Sequence, residues 1–430
     1  MSNNIVVIGG GAAGMMAAIC ASRAGARVTL CEQNEKLGKK IYITGKGRCN
    51  LTNTAEWEAF FGEVVSNPKF LYSAFAGMDN FAVMELVEGL GCPLKEERGG
   101  RVFPVSDHAS DVIAALRRGL EQAGVEVRLH TAVKKIVTGE ADAAGLRHVT
   151  GVRLSTGEFL QADAVILCTG GLSYPTTGST GDGLRFAREL GHTITPLRPS
   201  LVAFRCKEPW CADLMGLSLK NVSLKMIDGD LSCSASHELS YGKKQILYQG
   251  FGELLFTHFG VSGPLILSAS AYYGRRKTEN IAIILDFKPA LTPEQLDKRL
   301  LREFEEHHAK QVKNILPALL PAKMVPVFER HMPLYRDKTC AEVTREERTH
   351  LRNLLKNFHL IVTGTGGYEE AVITQGGISV KEVDPKTMQP RLLPGLYFAG
   401  ELLDLDALTG GYNLQIAWST GALAGRSAAK

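Results

Sequence analysis

Residues 4–32 arrange a strand, a glycine turn, a helix, a second strand and an acid in one order, and few folds accept that order. Asn4–Ile8 (NIVVI) is a continuous β-branched run, the kind buried on both faces of a parallel sheet. Gly9-Gly10-Gly11-Ala12-Ala13-Gly14 follows and fits GxGxxG. Met15–Ala24 is alanine-rich and reads as a helix ended by Gly25. Arg27–Cys31 (RVTLC) is the next strand, with Glu32 at its end, close to the ~20-residue spacing that puts an acid on a ribose. In such a unit Gly9 allows the tight turn, Gly11 lets the backbone approach a pyrophosphate, and Gly14 lets helix and strand pack closely. The helix start at Ala12 and Ala13 offers free N–H groups and the positive end of a dipole. Glu32 is placed to accept both ribose hydroxyls. A plain glycine turn, the competing reading, accounts for one motif but not for the ordered set.

Bulk properties bound the rest. At 430 residues the chain has room for two or three domains. Its 49 Lys+Arg against 45 Asp+Glu give a net charge of +4, which argues against nucleic acid or an anionic membrane as partner. The nine cysteines are scattered and odd in number, with no CxxC pair, so they read as reduced thiols in a cytoplasm. Ile5–Ile8 has no basic segment before it and runs into glycines, unlike a secretory signal. No apolar run reaches the ~20 residues of a membrane span.

Three later segments suit the same ligand. Gly38–Asn53 is glycine-rich and lacks Walker A spacing; its Gly45, Lys46, Arg48 and Asn50 suit a turn closing over phosphates, against the plainer reading of a basic surface loop. Ala164–Cys168 is another buried strand, followed by Thr169-Gly170-Gly171. Leu396–Ala399 is a short strand that ends at Gly400-Glu401, placing a carboxylate at a strand C-terminus. After the turn Thr409–Tyr412, Asn413–Ala424 begins a helix whose positive end faces whatever lies over the sheet.

The chain resembles the BaiN-like and YhiN-like (aminoacetone-oxidase-like) flavoproteins. The resemblance runs through GKGRCNLTN at 45–53, AVILCTGGLSYPTTGSTGD at 164–182, FTHFGVSGP at 256–264, AVITQGG at 371–377 and GLYFAGELLDLDALTGGYNLQIAWSTG at 395–421. It implies FAD as cofactor. Carried over residue by residue, it implies a cofactor site of Gly9, Gly11, Ala12, Ala13, Gly14, Glu32, Lys40, Gly45, Arg48, Cys49 and Asn50. Val133 joins as the adenine clamp, with Thr169, Gly170 and Gly171. Gly400 and Glu401 fall near the ribitol or pyrophosphate, and Gly411, Tyr412, Asn413 and Leu414 near the ring.

The fold class is α/β: a Rossmann-like, glutathione-reductase-like FAD-binding domain interrupted by a β-barrel-like domain with a helical piece. The expected division is 1–193, 194–360 and 361–430. Leu201–Met226, Glu253–Thr257 and Ile281–Phe287 read as strands of the inserted barrel. Thr292 caps a helix to His307 with Pro293 in its first turn, and further helices are expected at Gln311–His331 and Arg345–Asn357.

The catalytic residues are less legible. Cys49 beside the glycine turn is a candidate redox thiol, weakened by the missing CxxC partner. His258 reads more readily as structural than as catalytic, and His307-His308 as a solvated helix end. Tyr174 and Tyr412 adjoin cofactor segments and are candidate proton donors, though each reads more readily as a packing or flavin-edge residue. No HExxH, zinc-spaced Cys/His set or GxSxG elbow occurs, so no metal is expected. The resemblance implies three alternative activities. The first is an NAD(P)H-dependent reductase of an activated C=C bond in a small enone, steroid- or bile-acid-like, by hydride transfer from flavin N5. The second is an amine oxidase using oxygen on an aminoacetone-like substrate. The third is a redox-sensing or RNA-associated binding protein. No second complete GxGxxG occurs, so NAD(P)H is at most a transient reductant.

Overall fold

The computed structural model describes residues 2–141 and 145–430. It divides into two compact units, Met1–Ser200 with Tyr368–Lys430, and Leu201–Gly367.

The first unit is built on a five-stranded parallel sheet. Strand β1 (Asn4–Ile8) lies at its centre, between β2 (Arg27–Cys31) and the strand Ala164–Leu167. Glu126–Arg128 and Leu396–Phe398 complete the two edges. Val7 sits in register with Leu30 on one side and Ile166 on the other, and all three are fully buried. Continuous β-branched strands of this kind need cover on both faces. Helix α1 (Ala12–Arg23) supplies part of it, starting three residues earlier than Met15.

The C-terminal helix Tyr412–Ala428 packs on α1 at backbone contact distance. A Cβ at Gly421 would stand 2.3 Å from the Ala13 carbonyl oxygen, and one at Gly425 would stand 2.2 Å from that of Ala17. Two glycines one helical turn apart thus remove the side chains that would hold the helices apart.

The second unit is a closed six-stranded antiparallel barrel. Its order is Phe204–Cys206, Gly260–Ser262, Ile246–Thr257, Ser218–Asp228, Ile281–Asp286 and Phe358–Thr365, closing back on the first. Leu224, Met226, Leu254, Phe256, Ile283, Leu285 and Leu360 fill its core at alternate strand positions. Pro293–Glu306 begins with a reciprocal capping box between Thr292 and Gln295. The single helix expected over Gln311–His331 is instead two, Val312–Leu319 and Val325–Arg330. Leu320 precedes Pro321 and is extended (φ −139°, ψ 156°), because the proline ring excludes the helical region for the residue before it.

The domain limits fall at 200/201 and 367/368, a few residues past 193/194 and 360/361. Arg198–Ser200 pairs with Ile373–Gln375 inside the first unit, and the last barrel strand runs to Thr365. Among the described residues, no helix is long and apolar enough to cross a membrane.

Candidate active site

A deep cleft opens at the C-terminal ends of the parallel strands, where the strand order reverses between β1 and Ala164–Leu167. Counting its open mouth and the solvent in it, the cleft spans about 1350 Å³.

The glycine turn forms one wall. Gly9 has φ +105°, and a Cβ there would lie 2.6 Å from the Cys168 carbonyl oxygen. A Cβ at Gly14 would lie 1.8 Å from the Gly9 carbonyl oxygen, so this glycine lets helix and turn touch and does not itself line the cleft. Gly11 differs: its Cβ position is open space, with no atom within 4 Å, at the N-cap of α1. The backbone N–H groups there face room that a phosphate fills.

Glu32 is 7% exposed and already holds protein donors. The Gly10 N–H donates to its Oε2 at 2.7 Å, while the Asn34 backbone N–H and Nδ2 donate to Oε1 at 2.8 and 2.6 Å. A carboxylate offers about four acceptor positions. One remains, on Oε2, so Glu32 has room for one ribose hydroxyl and not the two expected.

Lys40 and Glu401 form the charged centre of the cleft. Lys40 Nζ donates to Glu401 Oε2 and to Ser173 Oγ, both at 2.6 Å. Glu401 Oε1 accepts from Ser173 Oγ and from the Thr374 N–H, each at 2.8 Å. Thr374 Oγ1 in turn accepts from the Leu172 and Ser173 N–H groups at 2.7 and 3.1 Å. Gly171 does not line the cleft; it makes room for Thr374, whose Oγ1 would lie 2.4 Å from a Cβ there. Thr169 does line it, and its buried Oγ1 has no partner, a desolvated group a ligand would satisfy.

Gly9, Gly11, Ala12, Ala13, Glu32, Lys40, Val133, Thr169, Gly170, Gly400, Glu401, Asn413 and Leu414 all come to this one cleft. Asn413 spends its side chain on the preceding loop, accepting from the Ala407 N–H at 2.9 Å and donating to the Ala407 and Leu408 carbonyls. Its backbone and that of Leu414 are the first turn of the C-terminal helix.

Besides Gly14 and Gly171, six expected residues lie off the cleft. The Arg48 guanidinium is taken up by Glu97 and Asp107 and lies 4.2 Å over the Phe103 ring, because the hairpin Leu94–Pro104 brings acids and an aromatic under the turn. Cys49 is 0% exposed, and burial, with Cys92 beside it, pushes its thiol up to about 12, so it is no redox thiolate. Asn50 is off the cleft with a buried, unpartnered Oδ1, and Gly45 packs on the Asn50 backbone. Gly411 lies against the Thr52 carbonyl, and Tyr412 stacks edge-on with Phe60 at 5.2 Å. Neither Tyr412 nor Tyr174 lines the cleft. Outside the set, Asn34, Ser173 and Thr374 were missed. Ser173 and Thr374 lie inside two of the family-like segments, but only the fold brings them together.

The residues present fit FAD: an open glycine at a helix start, an acid on the second strand and an orphaned hydroxyl, all on one cleft. Fold and site together define an FAD-dependent oxidoreductase. The chain belongs to the family described as HI0933-like protein Rossmann domain, which matches residues 3–427. It is 32% identical over 433 residues, 100% of this chain and 99% of the relative, to a 3-dehydro-bile acid delta(4,6)-reductase of Clostridium scindens. It is 30% identical over 415 residues, 96% of each chain, to a ribosomal RNA dihydrouridine synthase of Haemophilus influenzae. A 3-ketosteroid delta1-dehydrogenase from Sterolibacterium denitrificans, solved with 1,4-androstadiene-3,17-dione, has the same fold, with TM-score 0.52, 14% identity and full coverage of both chains.

Proposed function

We propose that this protein reduces a carbon–carbon double bond conjugated to a carbonyl, with NAD(P)H as the source of electrons. One observation carries the reading. Two relatives near 30% identity, each spanning at least 96% of the chain, are named for different substrates but for one kind of bond. A 3-dehydro-bile acid delta(4,6)-reductase saturates alkenes conjugated to a 3-oxo group. A dihydrouridine synthase saturates the uracil double bond conjugated to a ring carbonyl. Both need a hydride at the β-carbon and a proton at the α-carbon.

Bound FAD supplies the hydride. The α1 N-terminus and Gly11 would hold its phosphates, Glu32 would take one ribose hydroxyl, and Lys40 would keep the Glu401 carboxylate compensated in the presence of the cofactor's charge. The start of the C-terminal helix, at Asn413 and Leu414, places its positive end on the cleft, where negative charge on a reduced ring is favoured. A steroid-like enone is the first substrate reading. Uridine in RNA is the second, favoured by the dihydrouridine synthase relatives.

The test is an anaerobic titration of the yellow protein with NADPH and NADH, followed by a 3-oxo-Δ4 steroid, a uridine-containing ribosomal RNA fragment, or an amine. Bleaching by a nicotinamide nucleotide and recovery of colour with either alkene supports the reading. Bleaching by the amine alone, with recovery in oxygen, replaces it with amine oxidation.

A further inference from the structure

Four of the chain's 11 histidines meet inside the Leu201–Gly367 unit, away from any role above. His237 lies in the tight turn between the short strands Ser232–Cys233 and Leu239–Ser240. His331 ends the helix Val325–Arg330, His350 lies within Arg345–Lys356, and His359 is in the strand Phe358–Thr365. The His237 ring centre is 5.3 Å from that of His359, 5.7 Å from His350 and 6.5 Å from His331.

The turn carries bonds of its own, from the Ser234 N–H to the Glu238 carbonyl at 3.0 Å, from the His237 N–H to the Ser234 carbonyl at 2.9 Å and from the Glu238 N–H to Ser234 Oγ at 3.0 Å. Asn353 Nδ2, one turn after His350, donates to the Ser236 carbonyl at 2.9 Å. Cys233 Sγ is 3.8 Å from His237 Nδ1, and Tyr335 Oη is 2.7 Å from His350 Nδ1. His237 is 8% exposed and holds a left-handed φ of +57°, a conformation that costs a non-glycine residue. His237 Nε2 and His359 Nδ1 are buried without partners. The ring packing therefore holds the turn against a strained backbone and two unsatisfied nitrogens.

The charges around the cluster do not favour an imidazolium. Arg330 adds positive charge at His331, and Glu347 acts on Tyr335. Among the described residues no carboxylate pairs with any of the four rings, and no three His, Cys, Asp or Glu side chains are placed to hold a metal ion. Burial and then the neighbouring His359, His350 and His331 push His237 down to about 4, against a smaller opposing pull from a hydrogen bond with the Asn357 backbone, and burial lowers the other three.

We propose that the four imidazoles form a proton-sensitive latch, which holds the 234–238 turn closed while all are neutral and releases it when the cluster is protonated. The sign follows from linkage. In the open turn His237 regains an ordinary value near 6.5, so the open form binds protons first. Closure is complete above that value and is lost as pH falls from about 6.5 to about 4. The rings share the first proton, so one uptake suffices.

Hydrogen exchange on the full-length protein tests this at pH 7.5 and pH 5, with rates corrected for intrinsic exchange. Amides of residues 233–240 are expected to open about 30-fold more at pH 5 in the wild type, from the two His237 values. His237→Asn keeps a residue that tolerates the left-handed backbone but cannot be protonated, and it is expected to flatten the response. His359→Gln, which keeps His237 and removes its nearest ring, is expected to shrink it, and serves should the first variant not fold. A flat wild-type profile, or an unchanged one in both variants, overturns the latch. So does closure at pH 5 by micromolar Zn²⁺, which would make the cluster a metal site.

Discussion

Lys40 Nζ lies 2.6 Å from Glu401 Oε2, and Ser173 Oγ bridges the two, so the acid and the base of the cleft are one unit. Both side chains are about four-fifths buried, where a lone charge is costly. Lys40→Met leaves the Glu401 carboxylate in the cleft without its counter-charge. It is expected to weaken FAD binding by ~1–3 kcal/mol, the range of coupled contacts, and Glu401→Gln on top of it to recover part of that loss. Fluorescence titration of the apoprotein with FAD measures all four corners of the cycle. Additive losses would show that the pair is not coupled through the cofactor.

Gly11 and Gly14 separate ligand space from packing space. A Cβ at Gly11 meets nothing within 4 Å, so Gly11→Val is expected to leave the stability of the apoprotein within ~0.5 kcal/mol of wild type while FAD content collapses. A Cβ at Gly14 would stand 1.8 Å from a carbonyl oxygen, and Gly14→Ala is expected to cost more than ~3 kcal/mol of stability. Calorimetry and the flavin-to-protein absorbance ratio read the two effects apart. A Gly11→Val protein that retains full FAD refutes the site.

Thiol labelling distinguishes the cysteines. Cys233 is exposed, whereas Cys49 is sealed and its thiol is pushed up to about 12 by burial. Peptide mapping after brief alkylation at pH 8 is expected to find label on Cys233 and none on Cys49 until the protein is unfolded. Fast labelling of Cys49 would return it to the list of redox candidates.

Glu63 gives a pH signature in the first unit. Burial raises its carboxyl, and its charge helps raise the Tyr412 hydroxyl to about 12, after burial. An acid raised in the folded state contributes stability at low pH that is lost as pH rises through its folded value. Glu63→Gln is therefore expected to melt above wild type at pH 7–8 and to match it below the ordinary carboxyl range. Thermal melts across pH 4–8 decide it, and equal melting at every pH removes the effect.

What the sequence made legible was local order. The strand, turn, helix, strand and acid of residues 4–32 depend on contacts near in the chain, and their spacing carries them. The basic glycine turn misled because its partners are remote: nothing near Arg48 announces Glu97, Phe103 and Asp107. The helix over Gln311–His331 failed because periodicity outvoted Pro321. Ser173, Thr374 and the four histidines could not be paired by spacing, since each set is assembled from distant segments by tertiary folding.

The glycine contacts between α1 and the last helix have a consequence for synthesis. Ala13 and Ala17 leave the ribosome 408 residues ahead of their partners Gly421 and Gly425 (421 − 13 and 425 − 17). At roughly 5–20 residues per second, the nascent α1 waits on the order of 20–80 s for the surface it is shaped to meet. Through that interval its alanine- and methionine-rich face has no native cover. The nucleotide-binding unit is begun before the barrel unit is made and closes only after it, and a chain stopped short of Gly421 leaves it open.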